Sequence, residues 1–177
     1  IVPPRPVMGA VTVQPTAIVD PAAELGPGTM VGPYCMVAAG VSLGANCWLQ
    51  HHVTLEGPLI AGKANKFYAY CSIGQQTQDL KYWGEPTYLE IGDDNCFREF
   101  TTINRSTAAA GKTRVGNRGN FLAYSNIGHD CAVGGAGICS NNGTLAGHGT
   151  VGDHAVLGGP THSPQVFRFG AFRVQRA

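Results

Sequence analysis

The sequence predicts an all-β solenoid wound from six-residue steps. Three observations predict it: an apolar residue recurs at every sixth position from Val13 to Leu157 with two frank misses, a glycine often follows it, and 25 glycines with 11 prolines in 177 residues rule out a long-helix protein. Neither a 3.6-residue period nor simple strand alternation accounts for this pattern.

Taken in order, the steps are Val13, Val19, Leu25, Val31, Val37, Leu43, Leu49, Leu55, Ala61, Phe67 and Ile73, then Ile91, Phe97, Ile103, Ala109, Val115, Phe121, Ile127, Val133, Cys139, Leu145, Val151 and Leu157. Gly26, Gly32, Gly44 and Gly62 are among the glycines that follow a step, and read as corner formers. A small or medium side chain sits four places after the step, as at Ala17, Thr29, Cys35, Cys47, Cys71 and Cys131. One step is thus a short strand and a tight corner, and three steps close a triangular coil. Coils of equal length stack and fill a continuous apolar interior, which is a parallel β-helix of hexapeptide repeats.

The two misses, Asp79 and Glu85, lie in a polar segment that cannot line such an interior, so a loop is expected over about 75–88. A Ser/Thr/Ala/Gly-rich excursion predicts a second external loop over about 104–114. The whole chain, 1–177, reads as a single β-helix domain with regular coils over about 11–159. After Gly159 the next step falls on Ser163, between His162 and Pro164, so an irregular end is expected over 160–177, without a C-terminal helical domain; Phe169-Gly170 restores one step.

Composition excludes several classes of function. With 12 Lys+Arg against 11 Asp+Glu, a net charge of +1, no field exists to draw in nucleic acid, and no nucleic-acid partner is expected. No stretch reaches the length of a membrane span, and no charged-then-apolar segment opens the chain, so the cytoplasm is the expected compartment. The cysteines follow the repeat and form no Cys-x-x-Cys pair, so they read as buried thiols; neither a metal nor a cofactor is expected.

Chemistry is sought among six histidines: His51, His52, His129, His148, His154 and His162. His129 and His148 are separated by one coil plus one residue, which puts them on neighbouring coils near one edge. An imidazole suits a general base that lifts a proton and hands it back. Asp130 can orient that imidazole, and Gly147 lets a backbone N–H approach a developing oxyanion. No serine or cysteine stands in a nucleophile-elbow context, which favours direct transfer over a covalent intermediate.

Six stretches carry a resemblance to a known family: Gln78-Asp79-Leu80-Lys81-Tyr82, Gly84-Glu85-Pro86-Thr87, Ile91-Gly92-Asp93, Ile127-Gly128-His129-Asp130-Cys131, Asn141-Asn142 and Thr144-Leu145-Ala146-Gly147-His148. In order and spacing they resemble UDP-N-acetylglucosamine 3-O-acyltransferase, the acyl-carrier-protein-dependent first enzyme of lipid A biosynthesis, over about residues 11–159. The resemblance implies a left-handed winding and a homotrimer with its active sites in the clefts between subunits. It implies His129 as general base on the sugar 3-hydroxyl, which attacks the acyl thioester, with Asp130 orienting His129 and the Gly147 amide supporting the oxyanion. Asp79, Lys81, Asn126, His148 and Gln165 take substrate-binding positions, and Arg168, Arg173 and Arg176 are candidates to face the acidic acyl carrier protein.

The chain departs from that family's pattern at Asn104, Asn126 and Pro164, which stand where it carries histidines, and from about Thr161 the likeness fades. An alternative is therefore a catalytically impaired or truncated paralogue acting as a non-catalytic trimeric β-helix binding protein. Two further alternatives are a γ-class carbonic anhydrase, for which His148 and His154 are the nearest ligand pair, and the N-acyltransferase of the same pathway, which begins with an additional uridine-binding domain.

Overall fold

The computed structural model describes residues 9–159 and 162–175. Within them the chain forms 25 short strands in three parallel sheets of nine, eight and eight strands, and no helix. The first face starts at Thr12–Val13, the second at Ile18–Val19 and the third at Glu24–Leu25. Successive strands visit the three faces in turn, so every hydrogen-bonded neighbour lies one coil away. Thr12 pairs with Met30 and Val13 with Val31, a register of eighteen residues.

The six-residue steps point inward. Leu49, Leu55, Phe67, Ile73, Phe97, Ile103, Ile127 and Leu145 are fully buried, and Phe67, Phe97 and Phe121 stack up the axis with ring centroids 5.1 and 5.0 Å apart. Two buried amides continue the column in polar form: Asn65 Nδ2 donates to the carbonyls of Gly62 and Gly92, both at 2.8 Å, and Asn95 Nδ2 donates to Asn65 Oδ1 at 3.0 Å. Each of these two amides thus finds partners inside the column, whereas the buried Ser163 Oγ has none among the described residues.

The glycines after the steps act differently from the corner formers expected of them. A Cβ on Gly26 would lie 2.5 Å from the carbonyl carbon of Gly44, and one on Gly44 would lie 2.6 Å from that of Gly62. Their small size lets one coil settle on the next. The left-handed turn residues are largely non-glycine: Tyr34, Asn46, His52, Asp130 and His148 all have positive φ. One corner repays this strain by stacking side chains, with the rings of His52, Tyr70, Phe100 and Tyr124 about parallel at 4.8–5.1 Å.

Both loops are insertions into coils. Leu59 pairs with Leu89, thirty residues on, so twelve extra residues leave the coil between strands Ser72–Gln75 and Tyr88–Ile91. Leu89 then pairs with Thr113, twenty-four residues on, so six more leave between Thr102–Asn104 and Lys112–Val115. The second loop is therefore shorter than expected, because Asn104 and Lys112 through Arg114 are strand residues. Ala109 keeps the six-residue phase yet is an exposed loop residue. Insertions of whole steps leave the phase undisturbed.

The end expected to be irregular from 160 contains three strands in register: His162–Ser163 on Thr144–Leu145, Arg168–Phe169 on Thr150–Val151, and Val174–Gln175 on Val156–Leu157. Ser163 takes the inward position and is buried. Backbone pairing carries the rung where the side chain contributes little apolar surface. Arg176 lies outside the described residues.

Cys35, Cys47, Cys71, Cys131 and Cys139 are buried free thiols. Burial pushes Cys47 and Cys131 up to about 11, and Cys71 and Cys139 up to about 12.

Phe97 is the middle ring of the axial stack, so Phe97→Ala is expected to destabilise the fold by about 3–5 kcal/mol. Urea unfolding of the variant beside the wild type, followed by circular dichroism, measures this directly.

Candidate active site

The corner between the second and third faces brings the two predicted histidines together. His129 lies just after strand Asn126–Ile127, and His148 just after Thr144–Leu145, which pairs with it. With an eighteen-residue register, Gly147 stacks on His129 and His148 stacks on Asp130. The rings of His129 and His148 meet edge to face, 5.2 Å between centroids, and the His148 N–H donates to the His129 carbonyl at 3.0 Å. A Cβ on Gly147 would fall into the His129 ring. Glycine here makes room for the imidazole, and its N–H donates no hydrogen bond among the described residues.

His129 Nδ1 lies 2.9 Å from Asp130 Oδ2. With a carboxylate at Nδ1, that nitrogen carries the proton and Nε2 offers its lone pair. Asp130 is held from the other side by the short loop: the Thr107 N–H and Oγ1 donate to Oδ2 at 3.1 and 2.5 Å, and Ser106 Oγ donates to Oδ1. Burial pushes the Asp130 carboxyl up, but the hydrogen bonds from Ser106, Thr107 and His129 together outweigh it and hold the group at about 2.

In front of His129 opens a cavity of about 490 Å³. The long loop supplies Gln78, Asp79 and Lys81 to its wall, the second face supplies Asn104, Asn126 and Thr144, and His129, Gly147 and Gln165 complete it. The loop is tied down by Asn104 Nδ2, which donates to the Gln76 carbonyl at 3.0 Å, and by buried Thr77, whose Oγ1 accepts from the Asp79 N–H at 3.1 Å. Asp79 Oδ1 in turn accepts from the Lys81 N–H at 2.9 Å. Asn126 Oδ1 accepts from Thr102 Oγ1 at 2.8 Å.

Six of the eight residues singled out in the sequence line this one cavity: Asp79, Lys81, Asn126, His129, Gly147 and Gln165. Asp130 lies behind His129, and His148 flanks it with its side chain half exposed. His154 falls at the next corner and stacks on Phe172 at 4.7 Å, so it does not converge with His148. His51 and His52 sit at a third corner among tyrosines. The side chain of His162 lies outside the described residues.

Ser106 and Thr107 were not foreseen. The signal was present, since Ser106 precedes Asp130 by the same twenty-four residues that separate the paired Thr102 and Asn126, but using it requires the length of the second insertion. Ligand atoms of His129, Asp130 and His148 lie within 4.8 Å of one another, and among the described residues they form the one such group. His129 is hydrogen-bonded to Asp130, and His148 comes close through the stacking of the next coil. No helix of the described chain is long and apolar enough to cross a membrane.

The Asp130 carboxyl sits at about 2 in the fold, against about 3.9 in an unfolded chain. The unfolded state therefore takes up the proton first, and the carboxylate's contribution to stability is whole above about pH 4 and lost as pH falls toward 2. Melting temperatures across this range are expected to fall less steeply for Asp130→Asn than for the wild type.

No protein-family model matches the chain. It is 52% identical over 85 residues to the acyl-[acyl-carrier-protein]–UDP-N-acetylglucosamine O-acyltransferase of Psychromonas ingrahamii, covering 48% of this chain and 32% of that protein. It is 47% identical over 118 residues to the same-named protein of Saccharophagus degradans, covering 66% and 46%. The matches thus span less than half the length of these curated relatives. Among solved structures, LpxA from Acinetobacter baumannii superposes with a TM-score of 0.92 at 35% identity, covering 93% of this chain and 64% of that one. UDP-N-acetylglucosamine O-acyltransferase from Moraxella catarrhalis RH4 superposes with a TM-score of 0.86 at 39% identity, covering 92% and 66%. The chain is a left-handed parallel β-helix that resembles the UDP-N-acetylglucosamine O-acyltransferases in both sequence and fold.

Proposed function

We propose that the protein transfers an acyl chain from acyl carrier protein to the 3-hydroxyl of UDP-N-acetylglucosamine. The observation that carries this reading is the His129–Asp130 pair opening onto a cavity that Asp79 and Lys81 reach from the long loop. His129 Nε2 takes the proton of the sugar hydroxyl as its oxygen attacks the thioester carbonyl. The unengaged Gly147 N–H supports the negative charge on the carbonyl oxygen, and the C–S bond then breaks to release the carrier thiol, which receives the proton from His129. Asp130 stabilises the imidazolium through both half-reactions. Asp79, Lys81, Asn126, His148 and Gln165 hold the sugar nucleotide. A cytoplasmic homotrimer, with the cleft completed by a second copy, belongs to the same reading.

A second reading, binding without turnover, draws on Asn104 and Asn126. They place amides at the cavity where the resemblance has imidazoles, and both are engaged in hydrogen bonds of the fold.

The test is acyl transfer to UDP-N-acetylglucosamine with carrier protein bearing a range of chain lengths. His129→Ala is expected to lower kcat by about 10²–10⁴-fold, with the oligomer unchanged by light scattering. Calorimetric binding of UDP-N-acetylglucosamine with no transfer from any donor would establish the second reading instead.

A further inference from the structure

The Asp130 carboxylate has two imidazoles within reach. His129 Nδ1 lies 2.9 Å from Oδ2, and His148 Nε2 lies 3.9 Å from the same oxygen. A carboxylate free to rotate would divide itself between them. What opposes this comes from a single segment of the chain. Ser106 is fully buried, its Oγ accepts from the Ala108 N–H at 3.2 Å, and its one proton goes to Asp130 Oδ1. The Thr107 N–H and hydroxyl both donate to Oδ2. Thr113 Oγ1, also fully buried, accepts the backbone N–H of Asp130 at 2.9 Å.

The short loop is itself braced. The Gly111 N–H donates to the Ala108 carbonyl at 2.7 Å, and the Ala110 N–H donates to the Pro86 carbonyl at 2.9 Å, which joins the short loop to the long one. A side chain at Gly111 would strike Ser106 Oγ, so the glycine keeps the hydroxyl in place. Both carboxylate oxygens therefore have their directions set before His129 makes its bond.

We propose that Ser106 and Thr107 are positioning residues whose hydroxyls hold the Asp130 carboxylate on His129 and off His148, so that His129 carries its proton on Nδ1 and turns Nε2 to the cavity. The catalytic part of this rests on the reading of His129 as general base, and the tautomeric part does not. An insertion of six residues thus selects which of two adjacent imidazoles the carboxylate serves. In water the imidazole of histidine prefers its proton on Nε2, the nitrogen that a base at this cavity must leave free, and a misplaced tautomer disables such a pair even when its geometry survives.

Nitrogen-15 correlation spectra of the imidazoles test the proposal, with His129 and His148 assigned by substitution and the histidines kept neutral. The wild type is expected to show His129 protonated on Nδ1. In the double variant Ser106→Ala, Thr107→Val, that pattern moves toward Nε2 protonation. In the acyl-transfer assay kcat falls by on the order of ten- to a hundredfold, a part of what a general base supplies, while KM for UDP-N-acetylglucosamine stays within about twofold. Ser106→Thr and Thr107→Ser, which retain the hydroxyls, keep the wild-type imidazole pattern. Should the double variant lose the circular dichroism of the β-helix, the two single variants read the same shift one hydroxyl at a time. A wild-type His129 protonated on Nε2, or a folded double variant with an unchanged pattern, overturns the proposal. If no acyl transfer occurs with any donor, the reading of function fails, while the spectra still decide the role of the two hydroxyls.

Discussion

Everything in this molecule depends on one packing constraint: each sixth side chain must fit beneath its counterpart a full coil later. A single coil cannot shield an apolar residue from water, and a stack of coils can. The register between rungs is therefore enforced by the interior, where Phe67, Phe97 and Phe121 sit ring over ring. Residues on the outside inherit that register without contributing to it.

The site uses this inheritance. Stacking sets unlike residues above one another at one corner, a glycine over His129 and His148 over Asp130. The two loops then bring chemistry that the repeat lacks. The long loop delivers a carboxylate and an ammonium to the front of the cavity, and the short one delivers hydroxyls to the back of Asp130. A rigid column carrying two short excursions is a frame on which polar groups hold fixed separations.

Much of the architecture was legible because the six-residue period is a direct imprint of burial. Val31, Leu49 and Ile127 are inward for the reason their spacing suggests. The pairing of His129 with His148 followed from the same arithmetic. Legibility ended where backbone geometry took over from side-chain pattern. Ala109 kept phase and still lies in a loop, since an insertion of one whole step is invisible to periodicity. Ser163 broke the pattern and still lies in a strand, since ladder hydrogen bonds do not require an apolar side chain. The handedness of the winding has no signature in spacing and came with the family resemblance. The clamp on Asp130 went unseen because it couples a loop to a corner across an insertion whose length the pattern does not report.

The thiols carry one more consequence. A protein that receives an activated acyl group as a thioester runs the hazard of capturing it on its own sulfur. Here the thiol beside the His129–Asp130 pair belongs to Cys131, whose Sγ donates to the Ala146 carbonyl at 3.1 Å and which burial pushes up to about 11. Kept protonated and walled in, it is a poor nucleophile. Under the proposed function, the burial that gives the solenoid its register would also keep Cys131 from capturing the acyl group.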